Sequence, residues 1–208
     1  MHVENFKPVI KAAYLLQLRS GSFSGKELAV GDAKLHDVLN LGFLAEQKSG
    51  GERRYSITEK GRAQIKVVLA GGVYDVFHLG HLSALTEAKA LGDVLIAVVA
   101  TDITVETLKG RKPIFPQEDR RALVEGLKPV DKAILGYEDV GFGFEQVLME
   151  VMPDVVAFGY DQDKLERAVS EIIEGRNLRV HVVRLSRFEH EKYLSSTSIK
   201  ERLSEALR

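Results

Sequence analysis

The stretch GGVYDVFHLGH, residues 71–81, follows a short apolar run and precedes a segment with helical periodicity. The two glycines at its start permit a close approach of the backbone to a ligand, and His78, Gly80 and His81 stand where the helix should begin. The N–H groups at a helix N-terminus attract anions, and imidazoles placed there can donate hydrogen bonds to phosphate oxygens. The stretch therefore predicts an anion-binding strand, turn and helix, with a partial metal site or ordinary helix capping as the alternatives.

Four more apolar runs alternate with amphipathic segments in the rest of the chain. The runs are rich in Val and Ile, as are strands buried on both faces of a parallel sheet, and the segments between them show the 3.6-residue period of helices. Five strand and helix repeats predict an α/β fold with a doubly wound five-stranded parallel sheet, whose ligands bind beyond the carboxyl ends of the strands. The four runs are VLIAVVAT (94–101), KAILG (132–136), DVVAFG (154–159) and VHVVRL (180–185).

The segment before residue 67 has a different pattern and the opposite charge. Residues 1–66 hold 11 Lys and Arg against 7 Asp and Glu, whereas residues 67–208 hold 18 against 23. We therefore expect two domains, 1–66 and 67–208.

The N-terminal segment predicts three short helices and a hairpin. Ser24 and Glu27 have the spacing of a capping box, a third helix follows Asp32, and a glycine pair at residues 50–51 separates two strands. Thr58 can cap a last helix. This order resembles the winged-helix family, and we expect a small winged helix-turn-helix domain.

DNA binding is one function that the winged-helix resemblance implies, with the third helix in the major groove and the hairpin on the backbone. Dimerisation or docking is the alternative, and we expect a homodimer. The residues placed for DNA are Lys34 and His36 near bases, and Lys48, Arg53 and Arg54 near phosphates.

Further polar residues follow the predicted strands of the larger domain. LKGRKP, residues 108–113, is expected to be an anion-binding loop, and GYDQ, residues 159–162, follows the fourth strand. Hydroxyl groups precede the last helix. Helix capping and a solvated turn are the alternatives for these features.

Together these motifs resemble the HxGH nucleotidyltransferase superfamily, over nearly all of residues 67–208. The resemblance implies in-line attack by a phosphate oxygen of an acceptor on the α-phosphorus of a nucleoside triphosphate, with release of pyrophosphate. Alignment and charge stabilisation then supply the catalysis. Mg²⁺ would accompany the triphosphate, held mostly by phosphate and water oxygens rather than by protein ligands.

The resemblance also assigns roles to individual residues. The catalytic residues would be His78, His81 and Lys109, with Lys109 closing over the triphosphate. Asp75, Arg111 and Arg187 would lie on the acceptor side. The nucleotide-binding residues would be Gly71, Gly72, Val73, Tyr74, Gly80, Arg120, Gly159, Asp161, Ser196 and Thr197, with Arg120 and Thr197 on the β- and γ-phosphates.

The substrate pair remains open among ATP or CTP and several phosphorylated acceptors. LKGRKPIFPQEDRRALVEGLKPVDKAILG, with VAFGYDQ, looks most like the archaeal-type FAD synthases and favours FMN as the acceptor. The alternatives are a cytidylyltransferase for glycerol 3-phosphate or another phospho-alcohol, and a winged-helix regulator of transcription that responds to a nucleotide or flavin. GYDQ in place of G-D-D-W disfavours glycerol phosphate.

Composition excludes several other classes of protein. The chain has no cysteine, which excludes disulfides, thiolate catalysis and cysteine-based zinc sites. It has no apolar run of about 18 residues and no signal-peptide pattern. We therefore expect a cytoplasmic protein with no membrane partner.

Overall fold

The computed structural model describes residues 3–139, 143–188 and 196–206. The chain divides into two compact units, Met1–Lys66 and Val67–Arg208. Within the described residues, no helix has the length and apolar content needed to cross a membrane.

The described part of the first unit packs a 3-10 helix (Val3–Phe6), four α-helices and a hairpin around a small core of aliphatic and aromatic side chains. Its buried side chains include Ile10, Phe23, Val38 and Tyr55. The predicted capping box of Ser24 is confirmed, because both of its hydrogen bonds with Glu27 are present. The elements are α1 (Lys7–Ser20), α2 (Gly25–Leu28), α3 (Asp32–Asn40), β1 (Leu44–Ser49), β2 (Glu52–Ile57) and α4 (Glu59–Arg62), with β1 and β2 antiparallel.

The second unit is a parallel sheet with the strand order β5-β4-β3-β6-β7, which confirms the predicted doubly wound fold. Its strands are β3 (Val67–Gly72), β4 (Val94–Val99), β5 (Lys132–Leu135), β6 (Val155–Phe158) and β7 (His181–Arg184). Its helices are α5 (Leu79–Ala90), α6 (Asp102–Lys109), α7 (Gln117–Glu125), α8 (Gly143–Val151), α9 (Asp163–Gly175) and α10 (Ser196–Ala206).

Two local expectations were wrong. The predicted loop at residues 108–113 begins two residues late, because Leu108 and Lys109 are the last turn of α6. Thr101 caps this helix by accepting from the N–H of Thr104, and it ends at Gly110 in the left-handed conformation. Strand β7 is not buried on both faces, because it lies at an edge of the sheet and three of its four residues are exposed.

The order of the strands reverses between β3 and β6. The chain adds β4 and β5 on one side of β3 and then adds β6 and β7 on the other side. The β3–β4 ladder runs to Gly72 and Val99, whereas the β3–β6 ladder stops at Ala70 and Ala157. The strands β3 and β6 therefore separate two residues earlier than β3 and β4 do. Such a switch point is where open α/β sheets bind ligands.

We expect Gly61→Ala to unfold the first unit while the second unit stays folded. A Cβ atom at this position would lie 2.1 Å from the carbonyl oxygen of Phe43, and overpacking against backbone costs about 3 kcal/mol or more. Amide hydrogen exchange by mass spectrometry, read separately for peptides from residues 1–66 and 67–208, measures the effect. Gly31→Ala is the control, because its Cβ would meet no atom within 4 Å; equal protection in both variants would contradict the prediction.

Candidate active site

A cleft of about 1150 Å³ opens at the carboxyl ends of β3 and β6. Clefts of roughly 300–1,000 Å³ hold one drug-sized ligand, so this cleft has room for a nucleotide together with a second substrate. It contains most of the residues assigned from the sequence. These are Gly71, Gly72, Val73, Tyr74, Asp75, His78, Gly80, His81, Lys109, Arg111, Gly159 and Asp161.

The two histidines form one stacked pair at the start of α5. Their ring centroids lie 3.9 Å apart, and the His81 ring also stacks on Phe77 at 5.3 Å. His78 Nδ1 accepts a hydrogen bond from the Gly80 N–H at 3.1 Å, and His81 Nδ1 accepts one from the His78 N–H at 3.4 Å. Because backbone donors occupy both Nδ1 atoms, a neutral ring carries its proton on Nε2.

Burial keeps both imidazoles neutral. Desolvation lowers the pKa of His78 below its ordinary value. Desolvation, with smaller contributions from the charges of His78 and Lys109, lowers the pKa of His81 to about 4. At neutral pH each ring can therefore donate from Nε2–H to an anion without first losing a proton.

Two glycines of the motif are required by close contacts. A Cβ atom on Gly72 would lie 2.6 Å from the Tyr74 ring, and a Cβ atom on Gly80 would lie 3.0 Å from His78 Nδ1 and Cε1. Tyr74 itself is buried and has a positive φ of 53°, a conformation that costs energy in a residue with a side chain. The backbone at Tyr74 is therefore strained, and this conformation packs the Tyr74 ring against Gly72 at the end of β3.

Asp75 lines the cleft and connects its own turn to the loop after α6 and to α10. Its Oδ1 accepts hydrogen bonds from the backbone N–H groups of Ile114 and Phe115 at 2.7 and 3.0 Å. Its Oδ2 lies 2.5 Å from Lys200 Nζ on α10. Burial raises the pKa of the Asp75 carboxyl, but these bonds and the Lys200 charge outweigh it and the pKa is lowered. Asp75 is an ionised anchor for the loop after α6 and for α10.

Arg120 is the main correction to the sequence-based assignment. Its side chain is 1% exposed, and it does not line the cleft. It donates to the carbonyl oxygens of Phe115 and Val73 and to Asp102 Oδ1. A guanidinium held in this way fixes the turn after β3, and it lies outside the lining of the cleft in which the β- and γ-phosphates were expected.

Two of the remaining assigned cations line the cleft, and one lies beside it. Lys109 and Arg111 are exposed and line it. Arg187 is absent from the lining, although its guanidinium carbon lies 5.5 Å from the ring of Tyr160, which does line the cleft. Ser196 and Thr197 begin α10, but their side chains lie outside the described residues.

Several polar residues of the cleft were not assigned from the sequence, and two of them make contacts across the site. Lys200 stands where α10 meets the cleft and pairs with Asp75. Gln162 connects the ends of β3 and β6 through its side-chain amide. The resemblance pointed to both regions, but no residue pattern indicates that these side chains reach across the fold.

The cations assigned to DNA fall into two groups. Lys34, His36 and Lys48 are exposed, and so is Arg53, which pairs with Glu46 at 3.5 Å. Arg54 departs from the expectation. Its guanidinium is half-buried, donates to Ser22 Oγ and Ser22 O and lies 3.5 Å from Glu27, so it holds β2 against the α1–α2 turn.

Comparison with known proteins identifies the family to which most of residues 67–208 belong. The cytidylyltransferase-like family model matches residues 69–202. A FAD synthase of Aciduliprofundum boonei is 46% identical over 121 residues, covering 58% of this chain and 78% of that protein. A FAD synthase of Archaeoglobus profundus is 43% identical over 141 residues, covering 68% and 88%.

A solved structure also matches. The crystal structure of a Thermoplasma volcanium protein, described as a lipopolysaccharide core biosynthesis protein, superimposes with a TM-score of 0.55 and 40% identity. The match covers 60% of this chain and 99% of that one.

The fold and the site therefore define a nucleotidyltransferase of the HxGH superfamily, as predicted. The chain belongs to the cytidylyltransferase-like family.

We expect the free energy of unfolding to fall as the pH drops from 6.5 to about 4, partly because of His81. Its pKa is 6.5 ordinarily and about 4 in the folded chain, so over this range the unfolded state binds the proton and the folded state does not. Urea unfolding at a series of pH values measures this. His81→Gln should show a shallower fall, and identical slopes for both proteins would contradict the prediction.

We expect Gly80→Ala to reduce pyrophosphate release about tenfold or more. The added methyl group pushes against the His78 ring and displaces its Nε2–H donor. Complete removal of one such donor lowers the rate by a factor of roughly 10²–10³, so its displacement should cost a smaller factor. Gly175→Ala is the control, since its Cβ would meet no atom within 4 Å. Wild-type turnover by Gly80→Ala would show that the position of His78 is not critical.

Proposed function

We propose that the chain is an FMN adenylyltransferase, which transfers AMP from ATP to the phosphate of FMN and releases pyrophosphate. The observation that carries the proposal is the neutral imidazole pair at the N-terminus of α5, set in a cleft with room for two substrates. The choice of FMN is supported by relatives called FAD synthase at 43–46% identity.

The transfer requires alignment and charge stabilisation rather than a covalent intermediate. An oxygen of the FMN phosphate attacks the α-phosphorus of ATP as the bond from that phosphorus to the β-phosphate bridging oxygen breaks, so FAD and pyrophosphate form together. The Nε2–H groups of His78 and His81 donate to the α-phosphoryl oxygens, where negative charge builds up. The positive end of the α5 helix dipole attracts the same charge.

The cations that line the cleft or lie beside it have separate roles in this mechanism. Lys109, at the end of α6, neutralises the triphosphate. Arg111 contacts the acceptor phosphate, and Arg187 contributes charge beside Tyr160. Lys200 stays paired with Asp75 and keeps α10 next to the loop that carries Arg111.

Mg²⁺ fits this site as a companion of the triphosphate. Within the described residues, no group of three His, Asp or Glu side chains could hold a metal ion, and Asp75 is occupied by Lys200 and two N–H groups. We therefore propose that phosphate and water oxygens supply most of its ligands. Bound there, the ion would reduce the negative charge of the triphosphate.

The decisive experiment is pyrophosphate release with Mg²⁺ from ATP or CTP. Each nucleotide is paired with FMN, glycerol 3-phosphate, ethanolamine phosphate and nicotinamide mononucleotide. We expect turnover from ATP with FMN, with FAD as the product, and its loss in His78→Ala. Turnover only from CTP with glycerol 3-phosphate would overturn the FMN assignment in favour of a cytidylyltransferase. No turnover from any pair would favour a nucleotide-sensing regulator.

We expect Lys109→Ala to lower kcat/KM for ATP by roughly tenfold to a hundredfold, because it removes a cation from the developing charge. Lys112→Ala is the matched control: it removes the same charge from an exposed residue three positions away that does not line the cleft. Steady-state kinetics measures both variants. Equal losses in the two would mean that only the general charge of the segment matters.

A second proposal concerns the first unit, which we propose binds DNA through Lys34, His36, Lys48 and Arg53. These four side chains are exposed on α3 and the β1–β2 hairpin, and the alternative is that the unit joins two copies of the chain. Binding of duplex DNA should weaken with salt, and Lys48→Ala with Arg53→Ala should reduce the salt slope by about 2. Lys128→Ala with Arg179→Ala is the control; salt-independent binding, or a dimer in sedimentation without DNA binding, would reject this proposal.

A further inference from the structure

A side chain joins β3 and β6 at the point where their backbones stop pairing. The ladder between them ends at Ala70 and Ala157. Just beyond, Gln162 Oε1 accepts a hydrogen bond from the Gly159 N–H at 2.7 Å, and its Nε2 donates to the Gly71 carbonyl oxygen at 3.0 Å. The amide of Gln162 therefore takes the place of the next backbone rung.

The orientation of this amide is fixed by its two partners. One partner is a backbone donor and the other is a backbone acceptor, so a flipped amide would face N–H against N–H and oxygen against oxygen. Gln162 is half-buried and lines the cleft beside Gly71 and Gly159. A ligand that enters the crevice between the strand ends meets a rigid wall at this position.

The neighbouring glycine leaves little room for rearrangement. A Cβ atom on Gly159 would lie 3.3 Å from Asp161 Oδ1 and 3.5 Å from Gln162 Oε1. The turn after β6 is thus packed closely around the amide. The spacing between Gly71 and Gly159 depends on a bridge of fixed length.

We propose that Gln162 is a positioning residue that sets the width of the crevice between β3 and β6 for the nucleoside part of the triphosphate. The proposal rests on the proposed function for the identity of the nucleotide, ATP. The histidines that face the reacting phosphate begin α5, six residues or more beyond Gly72. Loss of the bridge should therefore weaken nucleotide binding rather than slow the transfer itself.

The test uses two neutral variants of the full chain, Gln162→Met and Gln162→Asn. Methionine has a similar length but can make neither hydrogen bond, and asparagine is one methylene too short to reach both partners. Calorimetric titration with ATP and Mg²⁺ should show a Kd raised roughly tenfold in each, the loss expected when a part-buried backbone group loses its partner. Gln146→Ala, an exposed glutamine on α8, is the control and should bind as the wild type does.

Kinetics separates positioning from a purely structural role. The KM for ATP should rise roughly tenfold, while kcat and the KM for FMN stay at wild-type values. An unchanged Kd for ATP in both variants, or a fall in kcat with the KM for ATP unchanged, would overturn the proposal. Because the titration needs no acceptor, a wild-type chain that binds ATP without using FMN would reject the FMN assignment and still test Gln162.

Discussion

The site depends on the unequal pairing of strand β3 with its two neighbours. Its ladder with β4 continues two residues past the point at which its ladder with β6 stops. The backbone after Ala70 therefore stays with β4 and leaves a crevice on the β6 side. Both the turn that carries Asp75 and the start of α5 lie at this crevice, because they follow β3 directly along the chain.

Two buried charged residues, Arg120 and Asp75, hold that turn in place. Arg120 grips the carbonyl oxygens of Val73 and Phe115 and pairs with Asp102 at the start of α6. Asp75 holds the segment after Arg111 and the helix that carries Lys200. Removing Lys200 would leave the buried carboxylate of Asp75 without its charge partner, which is destabilising, so these contacts hold the framework of the site together without a ligand.

The hydrogen-bonding chemistry of the site follows from the fixed orientation of its two histidine rings. Backbone N–H groups occupy the Nδ1 atoms of both histidines, and burial keeps the rings neutral. The donors that face the cleft are therefore preorganised and carry no charge that the protein would have to neutralise when the cleft is empty. Charged donors come instead from the exposed ends of elements, such as Lys109 at the end of α6.

Residue pattern alone predicted most of the fold but less of the site. The five strands and the helix after His78 are evident from apolar runs and helical periods, whereas α6 was missed because a helix of eight residues gives little periodicity. The family resemblance assigned Arg120 to the β- and γ-phosphates. Only the folded chain shows that its guanidinium already donates hydrogen bonds to protein oxygens. The bridge made by Gln162 connects residues 91 positions apart, and no local pattern encodes such a contact.

The most direct test of the central claim, that two neutral imidazoles with Nε2–H donors receive the triphosphate, is NMR of the chain with ¹⁵N-labelled histidine at pH 7. The account predicts that both His78 and His81 carry their proton on Nε2 alone, and that these Nε2 signals shift when ATP and Mg²⁺ are added. A proton on Nδ1, a cationic ring, or Nε2 signals that do not respond to ATP would contradict it.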